Sequence, residues 1–321
     1  MTTVLLSLAV WNPARWLTSL QERLPDEKVI ALEPDGSFAG TDAELAETEY
    51  LVAWKPQAEL FARLPKLKAI LSVGAGVDHL LDIPTLPDLP IARIVDPDLT
   101  NRMVEYVAWQ ALHHLRLGPS YQALQRAGQW RALPQPAARE VTVGIMGLGV
   151  LGIASAELLI QLGFRVTGWS RRAKDVAGVV GYHGDGQLRA FLGDTDILVC
   201  LLPDTPKTRG MLSAKLFGQL RQDGPLGGPI LINAGRGRLQ NEADIAAALT
   251  NGLLRGASLD VFAEEPLPAS SPLWKLDNLF ITPHVASVSD PAVLPRLIAR
   301  QVKRMEAGEE LQYLVDRSAG Y

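Results

Sequence analysis

The sequence predicts an α/β protein built as two doubly wound, parallel-sheet lobes, and three observations predict it. Short runs rich in Val, Leu and Ile alternate with helix-like stretches in both halves of the chain, the pattern of parallel strands covered by helices on both faces. A Pro134-Gln135-Pro136 connector separates two such series. The chain is also 321 residues long, whereas single cores usually stop growing near ~250–300 residues.

In the first third, strands are expected at Val4–Val10, Val29–Leu32, Tyr50–Ala53, Ala69–Val73 and Ile91–Val95, with helices at Arg15–Leu24 and Gln57–Leu64. Asn101–Leu117 reads as one long helix. Met103, Val104, Val107, Ala108, Ala111, Leu112 and Leu115 recur at helical spacing, and Gly118-Pro119 stops it. After the connector, strands are expected at Val141–Met146, Arg165–Trp169, Ile197–Leu202, Ile230–Asn233, Gly256–Asp260 and Leu279–Thr282. Helical patterns intervene at Leu151–Leu162, Leu188–Phe191, Ala214–Leu220 and Glu242–Thr250. The last helix, Pro291–Ala307, carries an apolar stripe of Val293, Leu294, Leu297, Ile298 and Val302. It follows completion of the second lobe and is expected to pack back on the first.

Composition narrows the function. Hydrophobic residues at 47% and charged residues at 21% supply a core and a solvated surface, which excludes a mainly disordered chain. With 31 Lys+Arg against 35 Asp+Glu, the net charge of −4 gives no general basic field for nucleic acid or anionic lipid. Cys200 stands alone, so no intramolecular disulfide or cysteine metal cluster is expected, and a reducing compartment fits. Thr3–Val10 is apolar, yet no basic residue precedes it and Trp11-Asn12-Pro13 offers no small-residue cleavage site. The uncharged run Val141–Ala156 is shorter than the ~20 residues of a membrane span and is interrupted by four glycines. A cytoplasmic protein acting on a small molecule is the expectation.

Gly147-Leu148-Gly149-Val150-Leu151-Gly152 directly follows one predicted strand and opens a helix. In that context the glycines serve a tight turn, a close approach of backbone to a pyrophosphate, and helix–strand contact, with helix amides facing the anion. An NAD site would carry a carboxylate ~20 residues onward for the ribose hydroxyls. Here Trp169-Ser170-Arg171-Arg172 occupies that place and Asp175 lies too far along. A hydroxyl and two guanidiniums suit a 2′-phosphate. NADP(H) is therefore preferred, with NAD(H) as the alternative.

Three further segments follow strands of the second lobe: Asn233-Ala234-Gly235-Arg236-Gly237, Ala263-Glu264-Glu265-Pro266-Leu267-Pro268 and Thr282-Pro283-His284-Val285-Ala286-Ser287. Open α/β sheets bind ligands at that edge. An Arg at that edge can grip an anion with its planar fork, and a His there is a common acid or base.

Together with the glycine turn, these segments resemble the D-isomer-specific 2-hydroxyacid dehydrogenase family over essentially the whole chain. Gly74-Ala75-Gly76-Val77-Asp78, Met103-Val104-Glu105-Tyr106, Trp169-Ser170-Arg171, Pro272-Leu273-Trp274 and Val315-Asp316-Arg317 resemble a branch of it that acts on glyoxylate and hydroxypyruvate. The resemblance implies a Rossmann cofactor domain, residues 98–289, inserted into a flavodoxin-like substrate domain, residues 1–97 plus 290–321. It implies that Arg236, Glu265 and His284 are catalytic. Gly follows Arg236 and Pro follows Glu265, which selects them over Arg238 and Glu264. His79, His113, His114 and His183 fall outside the catalytic motif.

The same resemblance implies that Gly147, Gly149, Leu151, Gly152, Ser170, Arg171, Arg172, Leu202, Pro203, Ala234 and Asp260 bind the cofactor. It assigns Trp54, Gly74, Ala75 and Gly76, with Arg236 and His284, to the substrate. Small residues at Gly74-Ala75-Gly76 let backbone amides approach a carboxylate. Lys55 departs from the residue expected beside Trp54, which opens the question of chain-length preference. No metal is implied. Hinges are expected near Asp96–Thr100 and Ser287–Pro291, and a homodimer contact along the long helix and the Tyr121–Pro136 arm, unless Trp109 and Trp130 are intramolecular core. The alternatives are an NADH-linked dehydrogenase for a bulkier 2-oxo acid and a dinucleotide-sensing binding protein on the same fold.

Overall fold

The computed structural model describes residues 1–9, 11–288 and 293–321. The chain divides into two units, Met1–Leu99 with Ser289–Tyr321, and Thr100–Val288.

The first unit holds β1 (Thr3–Leu8), β2 (Lys28–Ala31), β3 (Thr48–Trp54), β4 (Ala69–Ser72) and β5 (Ile91–Ala92). Every pairing is parallel and the order is β2-β1-β3-β4-β5, the flavodoxin-like arrangement. All six residues of β1 are buried, which explains its unbroken apolar run: a parallel strand is covered on both faces. The helix Ala14–Arg23 buries Trp16 and Leu20. Against it packs the final helix, Leu294–Glu306, through a buried stripe that includes Leu294, Ile298 and Val302. That helix does return to the first unit. Its predicted start at Pro291, the hinge expected up to Pro291 and the predicted strand end at Val10 lie outside the described residues. β5 is two residues long, and its outer edge meets the C-terminal segment: Arg93 N–H donates to the Tyr313 carbonyl and Val315 N–H donates to the Ile91 carbonyl. The predicted helix Gln57–Leu64 is a 3-10 helix, Ala58–Arg63.

The second unit holds β6 (Thr142–Met146), β7 (Arg165–Ser170), β8 (Val179–His183), β9 (Ile197–Cys200), β10 (Ile230–Asn233), β11 (Gly256–Leu259) and β12 (Leu279–Ile281). Again all pairings are parallel, in the order β12-β11-β10-β9-β6-β7-β8. Counted from β6, this is the Rossmann order with one further strand, and the direction of winding reverses between β6 and β9. Alternate residues feed two cores. Met146, Leu198 and Leu231 join Phe191 and Phe217 on one face, while Val143, Ile145, Val199 and Ile232 join Val107, Ala111 and Leu159 on the other.

Some elements depart from expectation for local reasons. The long helix spans Pro97–Leu115, starting before its apolar stripe because Asp96 accepts from Leu99 N–H at 3.1 Å and Pro97 suits a first turn. Gly118-Pro119 begins a second helix, Gly118–Arg126, after Leu117 takes a left-handed φ of 57°. The edge strand β8 carries only partly buried and exposed residues, so it lacks the apolar run that marks the others. Trp130 is fully exposed and is not core; Trp109 is 48% exposed and meets Tyr106 and Phe280 edge-on.

Candidate functional site

The glycine turn leaves β6 at the winding reversal. Gly147 has φ 106°, and a side chain there would also press within 2.9 Å of the Leu201 carbonyl. A Cβ on Gly152 would run into the Gly147 carbonyl oxygen, so helix and turn pack as closely as backbones allow. Beside Gly149 there is open space, and no side chain caps the helix Val150–Gln161 that it begins. Leu151 sits half-buried in its first turn. Uncapped helix amides over an open, side-chain-free corner fit a pyrophosphate.

β7 delivers Ser170 at its last residue, with Arg171 and Arg172 exposed just beyond. The Ser170 hydroxyl donates to the Arg172 carbonyl at 2.7 Å, so it shapes the basic loop and its proton is not directed at a phosphate. Sequence reasoning missed Lys174. Its ammonium donates to the Leu148 carbonyl at 2.5 Å, which brings a third cation of this loop onto the glycine turn. The signal was the basic spacing of Arg171, Arg172 and Lys174, but only the fold shows the turn lying within reach.

β9, β10, β11 and β12 bring the remaining segments to the same edge of the sheet. Leu202-Pro203 and Ala234 follow β9 and β10. Arg236 is half-buried in a loop that Asn233 braces: its amide donates to the Arg236 carbonyl at 3.2 Å and to Gln240 at 2.8 Å, while its oxygen accepts from Gly235 N–H at 3.1 Å. Gln240 in turn donates to the Val261 carbonyl at 2.9 Å. Gly237 is required here because a Cβ would overlap the Phe262 backbone. The neighbouring Arg238 is exposed and pairs with buried Asp204 at 2.7 Å, which separates its structural job from that of Arg236.

His284 follows β12, and its Nδ1 lies 2.9 Å from a Glu265 carboxylate oxygen. The other Glu265 oxygen accepts from Phe262 N–H at 3.1 Å, so the carboxylate is oriented from behind. The His284 side chain is 38% exposed; one ring nitrogen is engaged and the ring still reaches solvent. β10 and β12 flank β11, so at ~4.8 Å per strand the exits carrying Arg236 and His284 are ~10 Å apart along one edge.

Asp260, buried at the end of β11, organises the His284 loop. Its carboxylate accepts from the Thr282 hydroxyl at 2.6 Å, Val285 N–H at 2.9 Å and Ala286 N–H at 3.0 Å. Its carbonyl accepts from His284 N–H at 2.8 Å. Because the Thr282 proton is committed to Asp260, the Tyr106 hydroxyl donates to Thr282 across 2.9 Å. His284 itself has φ 56°, a strained conformation for a histidine, and these bonds on either side hold it.

In the first unit, Trp54 ends β3 and the Gly74-Ala75-Gly76 loop follows β4. These strands are neighbours, and a Cβ on Gly74 would collide with the Trp54 ring. The indole is stacked on Trp11 at 5.5 Å and meets His79 at 4.6 Å. Gly74 N–H donates to the Ser72 hydroxyl oxygen at 3.2 Å.

Each predicted residue thus sits at the carboxyl end of a parallel strand of its own unit. Cys200 is buried, and burial pushes its thiol up to about 12. Among the described residues, no group of three or more His, Cys, Asp and Glu is placed to hold a metal ion, and no helix is long and apolar enough to cross a membrane.

Residues 108–286 match the model of the D-isomer specific 2-hydroxyacid dehydrogenase NAD-binding domain. The chain is 38% identical over 317 residues to the glyoxylate/hydroxypyruvate reductase A of Salmonella heidelberg, covering 97% of each. Among solved structures, it is similar to the NADPH-dependent glyoxylate/hydroxypyruvate reductase from Sinorhizobium meliloti in complex with NADP and sulfate, with 47% identity and a TM-score of 0.94 over 100% of both chains. A probable 2-hydroxyacid dehydrogenase from Rhizobium etli, in complex with NADP, HEPES and L(+)-tartaric acid, is 48% identical with a TM-score of 0.92, again over 100% of both chains.

Proposed function

We infer the working of the site from one premise: the chain belongs to the D-isomer-specific 2-hydroxyacid dehydrogenase family. It is an NADPH-dependent oxidoreductase that reduces a small 2-oxo acid, glyoxylate or hydroxypyruvate, to the 2-hydroxy acid. The observation that carries the residue roles is the His284–Glu265 bond of 2.9 Å on the same sheet edge as Arg236 and the glycine turn.

Bound nicotinamide supplies the hydride. Arg236 grips the substrate carboxylate with its planar fork and polarises the carbonyl. His284, held by Glu265 through Nδ1, gives the proton on Nε2 to the oxygen as it becomes an alkoxide, and keeps its Nδ1 proton toward the carboxylate. Gly147, Gly149, Leu151 and Gly152 receive the pyrophosphate. Arg171 and Arg172, with Lys174 beside the turn, take the 2′-phosphate, while Ser170 shapes their loop. Leu202, Pro203 and Ala234 border the nicotinamide end, and Asp260 acts there by setting the His284 loop. In the first unit, the amides of Ala75 and Gly76 take the substrate carboxylate, since Gly74 N–H is already donated, and Trp54 bounds the substrate's far end.

This assignment makes residues 1–97 with 290–321 the substrate domain and residues 98–289 the cofactor domain. It extends to a homodimer built on the long helix and the Tyr121–Pro136 arm, which the exposed Trp109 and Trp130 support. It extends also to the cytoplasm, where a lone reduced cysteine belongs.

Absorbance of the reduced nicotinamide tests the reading. Glyoxylate and hydroxypyruvate should each drive NADPH oxidation. Arg171→Ala should lower kcat/KM for NADPH by about tenfold or more while NADH changes less than about threefold, since a charge-assisted bond is worth ~1.5–3 kcal/mol. Tight NADPH binding with no turnover on any 2-oxo acid would favour the sensor reading instead.

A further inference from the structure

We propose that Lys55 gives this chain a preference for 2-oxo acids bearing a second carboxylate, with its ammonium binding the far end of the substrate. The proposal rests on the reading above that the Ala75 and Gly76 amides hold the first carboxylate.

Three observations within the first unit support it. Lys55 follows Trp54 directly, and its Nζ turns back to lie 5.8 Å from the centre of the Trp54 ring. The same indole abuts Gly74. The ammonium and the amide-bearing loop therefore border the same indole. Lys55 is exposed, and among the described residues no carboxylate pairs with it. It also holds φ 48°, a left-handed backbone that a lysine does not favour; His284 is among the three other described non-glycine residues with positive φ. Such outliers gather at ligand sites, where the surroundings hold them in place.

The length of a diacid sets the span that the two donors must share. A three- or four-carbon diacid accepting an N–H bond of ~2.9 Å at each end bridges donors on the order of 8–10 Å apart. Lys55 Nζ, 5.8 Å from the ring centre, and the Gly74 loop at the ring edge border the same indole, so a diacid lying along that ring would meet an ammonium at one end and amides at the other. A monoacid such as glyoxylate is too short to reach both, so Lys55 distinguishes substrates by the number of their charges. Trp54 and the His79 ring against it bring no negative charge to oppose a second carboxylate.

The test compares glyoxylate with ketomalonate and oxaloacetate as substrates of the NADPH-loaded full-length enzyme, in wild type, Lys55→Met and Lys55→Arg. Met keeps the length of the stem and removes the charge. The expected result is that the diacid-to-glyoxylate ratio of kcat/KM is at least one in wild type, falls about tenfold or more in Lys55→Met through KM, and is restored in Lys55→Arg. The wild-type KM for the diacids should also rise more steeply with salt than that for glyoxylate. A ratio that Lys55→Met leaves unmoved, or a wild type that turns over glyoxylate but lags about tenfold on both diacids, overturns this proposal and leaves the reductase reading intact. Inactivity on every 2-oxo acid overturns both.

Discussion

The two sheets present functional segments at the same kind of edge and hold them by different forces. In the seven-stranded unit, Asn233, Gln240 and Asp260 tie successive strand exits together through buried and part-buried hydrogen bonds of 2.6–3.2 Å. In the five-stranded unit, Trp54 is held by ring packing, between Trp11 at 5.5 Å and His79 at 4.6 Å and over a glycine that admits the indole. Directional bonds set the position of individual atoms, as proton transfer demands. Packing sets a shape, and shape sorts substrates with more tolerance. On the proposed roles, chemistry and selectivity rest on different forces.

The sharpest way to break this comparison is to remove the two groups proposed to act on the substrate. His284→Ala and Arg236→Ala should each lower kcat by about 10²–10⁴, the usual range for a lost general acid or charge stabiliser. NADPH affinity, measured by fluorescence titration, should stay within about threefold. Near-normal glyoxylate turnover in either variant would end the role assignment.

A middle-sized effect separates the two kinds of support. Asp260→Asn keeps the side-chain volume but places an NH₂ among donors that now meet only carboxylate oxygens; an unmade buried bond costs about 1–3 kcal/mol. We expect a fall in kcat of about 10- to 100-fold, because the His284 loop loses its reference point. Trp54→Phe should instead leave kcat on the best substrate within about threefold and shift relative KM values along a series of longer 2-oxo acids. If both variants lost kcat equally, the division between chemistry and selectivity would not hold.

The smallest effect tests a buried network that catalysis does not use. His114 bonds Ser258 at 2.9 Å, and the Ser258 hydroxyl donates to Gln110 at 2.7 Å. Burial, with lesser repulsion from His113 and Arg255, lowers the His114 pKa to about 3. The unfolded chain titrates near ~6.5 and so binds a proton that the folded chain refuses; stability is complete above that pH and declines as pH falls toward 3, by at most ~1.4 kcal/mol per pH unit. Urea denaturation from pH 7 to 4.5 should therefore show a flatter acid limb for His114→Gln than for wild type. Parallel limbs would mean that His114 does not contribute.

Much of the site was legible in the residues alone, because its signals are short-range. The positive φ at Gly147, the helix start at Gly149 and the close contact at Gly152 arise within six residues. Arg236 and Glu265 are picked out by the family pattern, through the residue that follows each. What stayed hidden depends on partners far along the chain. Lys174 meets Leu148 across 26 residues, and Asp260 reaches Val285 and Ala286 across 25 and 26. β8 was missed because half-exposed edge residues carry no apolar signature, and Trp130 was open to a core reading because an aromatic side chain does not reveal its own burial.

The amino-acid order by itself determined two parallel α/β sheets, the glycine corner and the basic loop in place of a ribose-binding carboxylate. Periodicity and nearest-neighbour sterics encode these directly. Only the tertiary structure decided that Ser170 shapes its loop, that Asp260 anchors the His284 segment, and that Lys55 and Gly74 share the Trp54 indole. Those roles depend on which strands lie side by side, and strand adjacency is settled by long-range burial that no local run of residues records.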